Sequence, residues 1–178
     1  MNMNKGFTIV ETLVAITILM IAIAGPLVVA SKGLFGANIS KDQMIASYLA
    51  QETMEVVKNI RDNNLYSASP NWLSGLDGCV KDSYCDGSAI DGAGANPSIL
   101  SCPPASLCRI YSKSIGYTHN PADATPTPFY RGFHIHNPNS SGECVSSEEC
   151  SVTVEVVWSE NATPYSVKLT SELTSILR

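Results

Sequence analysis

The chain has 178 residues, a formal net charge of −5 and only 15% charged residues. This length allows one medium-sized domain with one appended segment. The 11 Lys and Arg residues form no cluster, so an extended basic surface for nucleic acid is not expected. The six cysteines all lie from Cys79 onward, and an even number behind an apolar amino terminus indicates disulfides in a compartment outside the cytoplasm.

The amino terminus combines a short polar stretch with a long apolar one. Residues 1–6 carry a single charge, Lys5, and residues 7–30 carry only Glu11. As a helix, residues 7–30 would be about 36 Å long, which is enough to cross a hydrocarbon core of about 30 Å. Lys5 on one side and the cysteine-containing bulk on the other predict a single-pass protein with a cytoplasmic amino terminus and an extracytoplasmic remainder.

Residues 31–63 predict an amphipathic continuation of the same helix. Glu52 interrupts its apolar face, and the polar sequence "RDNN" predicts that the helix ends near Asn63. Apolar residues recur at a spacing of three to four along that face: Ile45, Leu49, Val56 and Ile60.

Residues 64–178 predict an extracytoplasmic domain with two parts. Residues 64–106 are rich in Gly, Ser, Pro, Asn and Asp, and predict an irregular region stapled by disulfides. Alternating patterns then predict strands, and the turn sequence "SENATP" joins the last two into a hairpin. The expected fold class is therefore α+β, with an antiparallel sheet packed on the amphipathic half of the helix. The strand candidates are residues 107–115, 129–136, 151–158 and 165–173.

The sequence "KGFTIVETLVAITIL" resembles the leader of type IV pilins and of the pseudopilins of type II secretion. A basic residue, a glycine, an apolar aromatic residue and a glutamate stand there at fixed offsets inside an apolar helix. The resemblance implies that prepilin peptidase cleaves between Gly6 and Phe7, that the new Phe7 amine is methylated, and that Glu11 acts in assembly. "YLAQETMEVVKNIRDNN" further resembles the corresponding helix of minor pilins and small pseudopilins.

Glu11 carries a charge whose position needs a physical reason. A carboxylate at the middle of a bilayer costs about 2.5–3.5 kcal/mol. Cleavage would create an amine on Phe7, and two opposite charges about 4 Å apart attract by about 4 kcal/mol at an effective dielectric constant of about 20. The pair could form within one chain or between neighbouring subunits, and the resemblance implies the second. The alternative is a carboxylate that lies near the interface and reaches water.

Gly25 and Pro26 predict a kink, because proline removes one helix hydrogen bond and glycine offers little resistance to bending. In a packed filament, such a kink would let helices approach closely. The alternative is a proline that a membrane helix simply tolerates.

The cysteines are evenly spaced. Six cysteines allow many pairings, but three pairs that each enclose five residues suggest local disulfides. Longer-range pairings stay open, since a larger loop gains more stability in the chain-entropy model. A zinc site would need paired short spacings, which are absent from the sequence. The three equal intervals are Cys79/Cys85, Cys102/Cys108 and Cys144/Cys150.

No metal or cofactor is expected. His134 and His136 share one face of a predicted strand, but only His119 is available as a candidate third ligand, so structural histidines are the favoured interpretation. The sequence "DGSAIDGAGAN" departs from a calcium loop because Ser88 and Ile90 stand at ligand positions. Five acidic residues in turn-like stretches are interpreted as solvated loop acids: Asp82, Asp86, Asp91, Glu148 and Glu149.

The sequence contains no catalytic motif and predicts a structural protein, not an enzyme. The resemblance implies a minor subunit of a type IV pilus or a type II secretion pseudopilus, with the choice between the two left open. It also implies its partners, which are membrane lipid before assembly, prepilin peptidase, an inner-membrane assembly platform and other pilin or pseudopilin subunits. The alternatives are a pilus-tip adhesin or a module that binds exported substrates or DNA, and, more remotely, a membrane-anchored extracytoplasmic enzyme.

Overall fold

The computed structural model describes residues 8–67, 71–80, 83–91, 97–122, 124–139, 144 and 149–174. It confirms the α+β class, with one long helix, α1, and an antiparallel sheet. The elements in chain order are α1 (Ile9–Tyr66), a 3-10 turn (Asp77–Cys79), β1 (Cys85–Ser88), β2 (Ser98–Ser101), β3 (Cys108–Lys113), β4 (Gly116–Thr118), β5 (Thr125–His136), β6 (Cys150–Glu160) and β7 (Thr163–Leu173).

The chain divides into two compact units, Met1–Asp42 and Gln43–Arg178. The described part of the first unit is helical and belongs to α1. The second unit holds the rest of α1, the sheet and the disulfides.

Strand β5 is the central strand of the sheet. It pairs along one side with β6, and on the other side with β3 and, through Phe133, with β1. Strand β6 pairs in turn with β7, while β1 pairs with β2 and β3 pairs with β4, all antiparallel. The sheet therefore has β7 as its longest edge strand.

The predicted hairpin of β6 and β7 is confirmed, with register pairs from Cys150↔Leu173 to Glu160↔Thr163. Asn161 and Ala162 form its two-residue turn with φ values of 48° and 65°, which is the signature of a type I′ turn. The predicted inward face of β6 is also confirmed, because its members are 4% exposed or less: Val152, Val154, Val156 and Trp158.

The core of the second unit forms between α1 and one face of the sheet. Helix residues Leu49, Met54 and Val57 are buried there. They pack with strand residues such as Phe133 and Ile135 in one apolar cluster. The amphipathic pattern of the helix therefore predicted correctly which of its faces packs on the sheet.

The expectation of an irregular region over residues 64–106 is wrong in part. Helix α1 continues to Tyr66, and the region contains the paired strands β1 and β2. Strand β1 has the sequence Cys-Asp-Gly-Ser and shows no alternation, because all four of its residues are buried. Its residue types usually mark turns, so the tertiary partners of β1 make it a strand, not its local sequence.

Gly87 in β1 lies directly against α1. A Cβ added there would be 2.9 Å from Val56 Cγ1 and 3.3 Å from Ile99 Cδ1. The Thr53 hydroxyl also donates a hydrogen bond to the Gly87 carbonyl at 3.1 Å. Only a residue without a side chain allows this approach of strand and helix.

We therefore predict that Gly87→Ala destabilises the domain by about 1–3 kcal/mol, because Val56 is β-branched and cannot rotate away easily. The control is Gly78→Ala, whose added Cβ would find its nearest neighbour 3.8 Å away, at Ser101 Oγ. Unfolding of the detergent-solubilised chain can be followed by tryptophan fluorescence, since Trp72 and Trp158 both lie in this core. Equal stability of the two variants would contradict the prediction.

Candidate functional site

The apolar part of α1 in the first unit presents an exposed surface. Every side chain from Thr8 to Asn38 is exposed. In the described part of the chain, α1 is the one helix that is long and apolar enough to cross a membrane. An apolar surface of this extent needs lipid or other protein around it in water.

Glu11 lies in the first turn of this helix. Its backbone N–H donates a hydrogen bond to the Thr8 hydroxyl at 3.3 Å, and the Thr12 N–H donates to the Thr8 carbonyl at 3.2 Å. Thr8 is thus the N-cap, and the sequence Thr-Ile-Val-Glu has the spacing of a capping box. Sequence reasoning missed this cap, although the spacing was visible. Gly6 and Phe7, the predicted cleavage pair, lie outside the described residues.

The helix continues through Gly25 and Pro26, which are both part of α1. Pro26 has no N–H, so the Ala22 carbonyl has no donor one turn ahead. A Cβ on Gly25 would meet no atom within 4 Å, so packing within this chain does not require glycine there. A kink at this point stays a prediction.

The cysteines form the three local disulfides that equal spacing suggested. Their Cα–Cα distances are 5.4 Å for Cys79–Cys85, 5.0 Å for Cys102–Cys108 and 5.8 Å for Cys144–Cys150. Cys79 and Cys85 are both buried, and their bond ties the 3-10 turn to the start of β1. Asp86 therefore follows directly after a cysteine whose position the disulfide restrains.

Asp86 faces Arg131, which is fully buried on the core face of β5. Arg131 Nε and Nη2 donate to the two Asp86 carboxylate oxygens at 2.6 and 3.2 Å. Nη1 donates to Glu52 Oε2 at 2.9 Å and to the Leu49 carbonyl at 3.1 Å. Nη2 also donates to the Gly87 carbonyl at 2.9 Å. All five N–H groups of the guanidinium thus have acceptors.

The network extends from Asp86 to the loop after β4. His119 Nδ1 lies 3.1 Å from Asp86 Oδ2, and the His119 backbone N–H donates to Asp91 Oδ2 at 3.2 Å. The Thr118 hydroxyl donates to the same Asp91 oxygen. We call Glu52, Asp86, Asp91, His119 and Arg131 the buried ion network. It connects α1, β1, β5 and the end of β4.

The charge of Arg131 is secured by its neighbours. Burial alone would lower the pKa of Arg131, but the carboxylates of Asp86 and Glu52 raise it above its ordinary value. Burial alone would likewise raise the pKa of Asp91. Hydrogen bonds from Thr118 and Ser88, together with His119, hold the pKa of Asp91 below its ordinary value.

The interpretation of Asp86 and Asp91 as solvated loop acids is therefore wrong. Asp86 has no exposed surface, and the Asp91 side chain is 8% exposed. Glu149 is exposed, as expected, while Asp82 and Glu148 lie outside the described residues. The physical reason is that Arg131 and Thr118 supply the partners that water would otherwise provide.

The histidines are divided between two places. His119 contacts the acids of the buried ion network, whereas His134 lies edge-on to Tyr84 at 5.1 Å and 5.2 Å from the His136 ring. Over the described ranges, no three His, Cys, Asp or Glu residues are grouped so that they could hold a metal ion. Within the calcium-like sequence, Asp86 is engaged by Arg131 instead.

A signal for the network was present in the sequence. The alternation of β5 places Arg131 on the same face as Phe129, Phe133 and Ile135, which are all buried. Glu52 likewise stands on the apolar face of α1. Opposite charges on two facing apolar surfaces predict a buried pair.

We predict that Asp91 contributes a pH-dependent part of the stability. Because its folded pKa lies below the unfolded value of about 3.9, this contribution is present above that pH and is lost as the pH falls through the folded pKa. The difference in unfolding free energy between wild type and Asp91→Asn should therefore shrink below about pH 3.9. Urea unfolding followed by tryptophan fluorescence measures it.

The matched control is Glu160→Gln, at the half-buried end of β6 near the hairpin turn. It removes one carboxylate that has no such neighbours in the described structure. A difference for Asp91→Asn that stays constant from pH 7 down to the acid transition would contradict the prediction.

The amino terminus is similar to a known family. Residues 1–25 fit the family model described as the prokaryotic N-terminal methylation motif. No significant match was found among curated proteins or among solved structures. The matched region contains the whole "KGFTIVE" sequence and the first part of the apolar helix. The chain therefore carries the leader that type IV pilins and pseudopilins share, at the start of a helix suited to membrane anchoring.

Proposed function

We propose that this protein is a minor structural subunit of a type IV pilus or a type II secretion pseudopilus. The observation that carries the proposal is the methylation motif at the head of a helix whose side chains are all exposed from Thr8 to Asn38. Lipid would cover that surface before assembly, and neighbouring subunits would cover it afterwards. The resemblance of residues 48–64 to minor pilins and small pseudopilins supports the minor role.

Processing would prepare the helix for assembly. Prepilin peptidase would cleave between Gly6 and Phe7, and methylation would leave a positively charged amine on Phe7. Lys5 before the cleavage point and three disulfides beyond the membrane support a cytoplasmic amino terminus and an extracytoplasmic domain. An inner-membrane assembly platform would then extract the subunit.

Glu11 would select the axial position of each new subunit. In the stored subunit its carboxylate lies in the first turn, where the partial positive charge of the helix terminus stabilises an anion by about 0.3–1 kcal/mol. That is less than the cost of a carboxylate within a bilayer, about 2.5–3.5 kcal/mol. Pairing with the Phe7 amine of a neighbouring subunit would offset the remainder, and only one stagger of the two helices permits it.

We predict that Glu11→Ala is processed normally but enters filaments at least about tenfold less than wild type, because it loses an attraction of up to about 4 kcal/mol. Intact mass of the membrane-extracted protein checks processing, as loss of residues 1–6 and one added methyl group. Immunoblotting of sheared filaments checks incorporation. Glu11→Asp, which keeps the charge, should retain part of the incorporation.

The matched control is Thr12→Ala, the next residue of the same exposed turn, whose hydroxyl bonds only locally to the Ile9 carbonyl in the described structure. It should be processed and incorporated normally. An unprocessed Met1 terminus in cells with active prepilin peptidase would contradict the proposed function. Normal incorporation of Glu11→Ala would contradict only the charge-pairing mechanism.

A further inference from the structure

The turn between β3 and β4 carries an exposed apolar side chain. Ser114 and Ile115 form this turn, since Lys113 and Gly116 are the last pair of the two strands. Ile115 is 74% exposed, more than any other aliphatic side chain described in the second unit. Single exposed apolar residues are common on protein surfaces, so the place of Ile115 in the fold and its neighbours decide whether it has a partner.

Lys113, at the end of β3, is a cation beside this turn. Four other basic side chains of the second unit form ion pairs with carboxylates, and Arg109 lies over the Tyr130 ring. Lys113 has neither kind of contact among the described residues. We call residues 113–116 the β3–β4 tip. It combines an exposed apolar side chain with an unpaired positive charge, in a chain of net charge −5.

The direction of the strands relative to α1 follows from two contacts. Arg131 of β5 bonds to the Leu49 carbonyl, and Arg61 of α1 lines a groove with Ser151 of β6. Leu49 and Arg61 are about 18 Å apart along the helix. On β6, Val156, which pairs with Arg131, is about 17 Å from Ser151. Because the two distances agree, the strands run nearly along α1, and β5 has the same direction as the helix.

Strand β3 runs the opposite way, toward the end at which α1 enters the second unit. It begins at Cys108, opposite Arg131, and Lys113 is about 17 Å further along. In the same direction, Gln43, the first residue of the unit, is only about 9 Å from Leu49. Measured along α1, the β3–β4 tip therefore projects about 8 Å beyond Gln43.

A short tether joins the second unit to the apolar part of α1. Lys32 is the first charged residue after Glu11 and ends the apolar run, so its amine belongs at the level of the lipid headgroups. Gln43 follows eleven residues later, and the chain between them is helical, with a length of about 16 Å. The headgroup layer itself is about 5–7 Å thick. A tip that projects beyond Gln43 is therefore within reach of lipid.

We propose that, in the membrane-stored subunit, the β3–β4 tip binds the extracytoplasmic leaflet of the same membrane. Ile115 enters the boundary between headgroups and acyl chains, and Lys113 binds the phosphates of anionic lipids. An apolar side chain beside a cation is the chemistry of binding at a membrane interface. The contact rests on the proposed function, because it needs a subunit anchored through α1. It would fix the orientation of the domain on the membrane, and extraction into a filament would break it.

The acids at this end of the domain leave the tip basic. Asp91, which contacts β4 through Thr118, is 8% exposed and belongs to the buried ion network. Glu160 is half-buried on β6, and β5 separates β6 from β3. Two strand spacings are about 10 Å, so Lys113 is the closer charge to Ile115.

A fluorophore on the tip tests the contact in the full chain. The native cysteines are all disulfide-bonded, so Ile115→Cys can be labelled selectively. In vesicles of phosphatidylcholine and phosphatidylglycerol, lipids with a spin label near the headgroup should quench this fluorophore at least about threefold more than one at residue 66. Tyr66→Cys is the matched control, because Tyr66 is 88% exposed and lies at the opposite end of α1.

A charge substitution tests the role of the lysine. Lys113→Gln should lower the quenching at residue 115 by at least about twofold, as should vesicles of phosphatidylcholine alone. Arg109→Gln is the control, since it removes one positive charge from β3 about 13 Å from Lys113 and should leave the quenching unchanged. The mass of each variant reports the three native disulfides. If the added cysteine exchanges with a native one, a photo-reactive amino acid at residue 115 and its cross-link to lipid decide instead.

Three results would overturn the proposal: equal quenching at residues 115 and 66, unchanged quenching in Lys113→Gln, and an equal loss in Arg109→Gln. A cross-link from residue 115 to another subunit in place of lipid would overturn it too. Alkaline extraction of the vesicles separates this failure from failure of the proposed function. A chain that stays in the vesicles without the tip contact refutes the tip alone, whereas a chain that is extracted contradicts the anchoring itself.

Discussion

One guanidinium, that of Arg131, joins the parts of the domain that lie far apart in the sequence. In β1 it donates hydrogen bonds to the Asp86 carboxylate and the Gly87 carbonyl. In α1 it donates to the Glu52 carboxylate and the Leu49 carbonyl. A buried ion pair adds little net stability compared with apolar residues of the same volume. Its value is specificity, because any arrangement that leaves Arg131 or Asp86 buried and unpaired is strongly unfavourable. Helix and strands must therefore meet in one register.

Each unit has a charged side chain in apolar surroundings, and the two charges differ in where their partners come from. In the second unit, Arg131 finds all its acceptors within the chain. In the first unit, Glu11 is exposed on an apolar helix, and the contact described for it is a backbone bond to Thr8. Under the proposed function, its carboxylate gains its partner from a neighbouring subunit. The same energetic rule then fixes the fold of the domain and the stagger of the filament.

Much of this architecture could be predicted from the sequence because it follows local periodicity. The long helix, the inward face of β6 and the hairpin turn all have patterns within a few residues. Strand β1 has no such pattern. For the buried ion network, the positions of Arg131 and Glu52 on apolar faces give a signal but do not identify the partners, which are remote: Asp86 lies 45 residues from Arg131, and Glu52 lies 79 residues from it. Asp, Gly and Ser predict a turn wherever water is their partner. Here the same residues form a strand, because Cys85 is held by a disulfide, Asp86 by an ion pair and Gly87 by a close contact with the helix.

If Arg131 and Asp86 act as one unit, a double-mutant cycle will show it in the free energy of unfolding. Unfolding of wild type, Arg131→Met, Asp86→Asn and the double variant would be followed by fluorescence of Trp72 and Trp158, with exposed Arg109→Met as control. Each single change should cost about 3–5 kcal/mol, and the double change should cost less than their sum by about 2 kcal/mol or more. Additive costs would contradict it, as would an effect of Arg131→Met no larger than that of Arg109→Met.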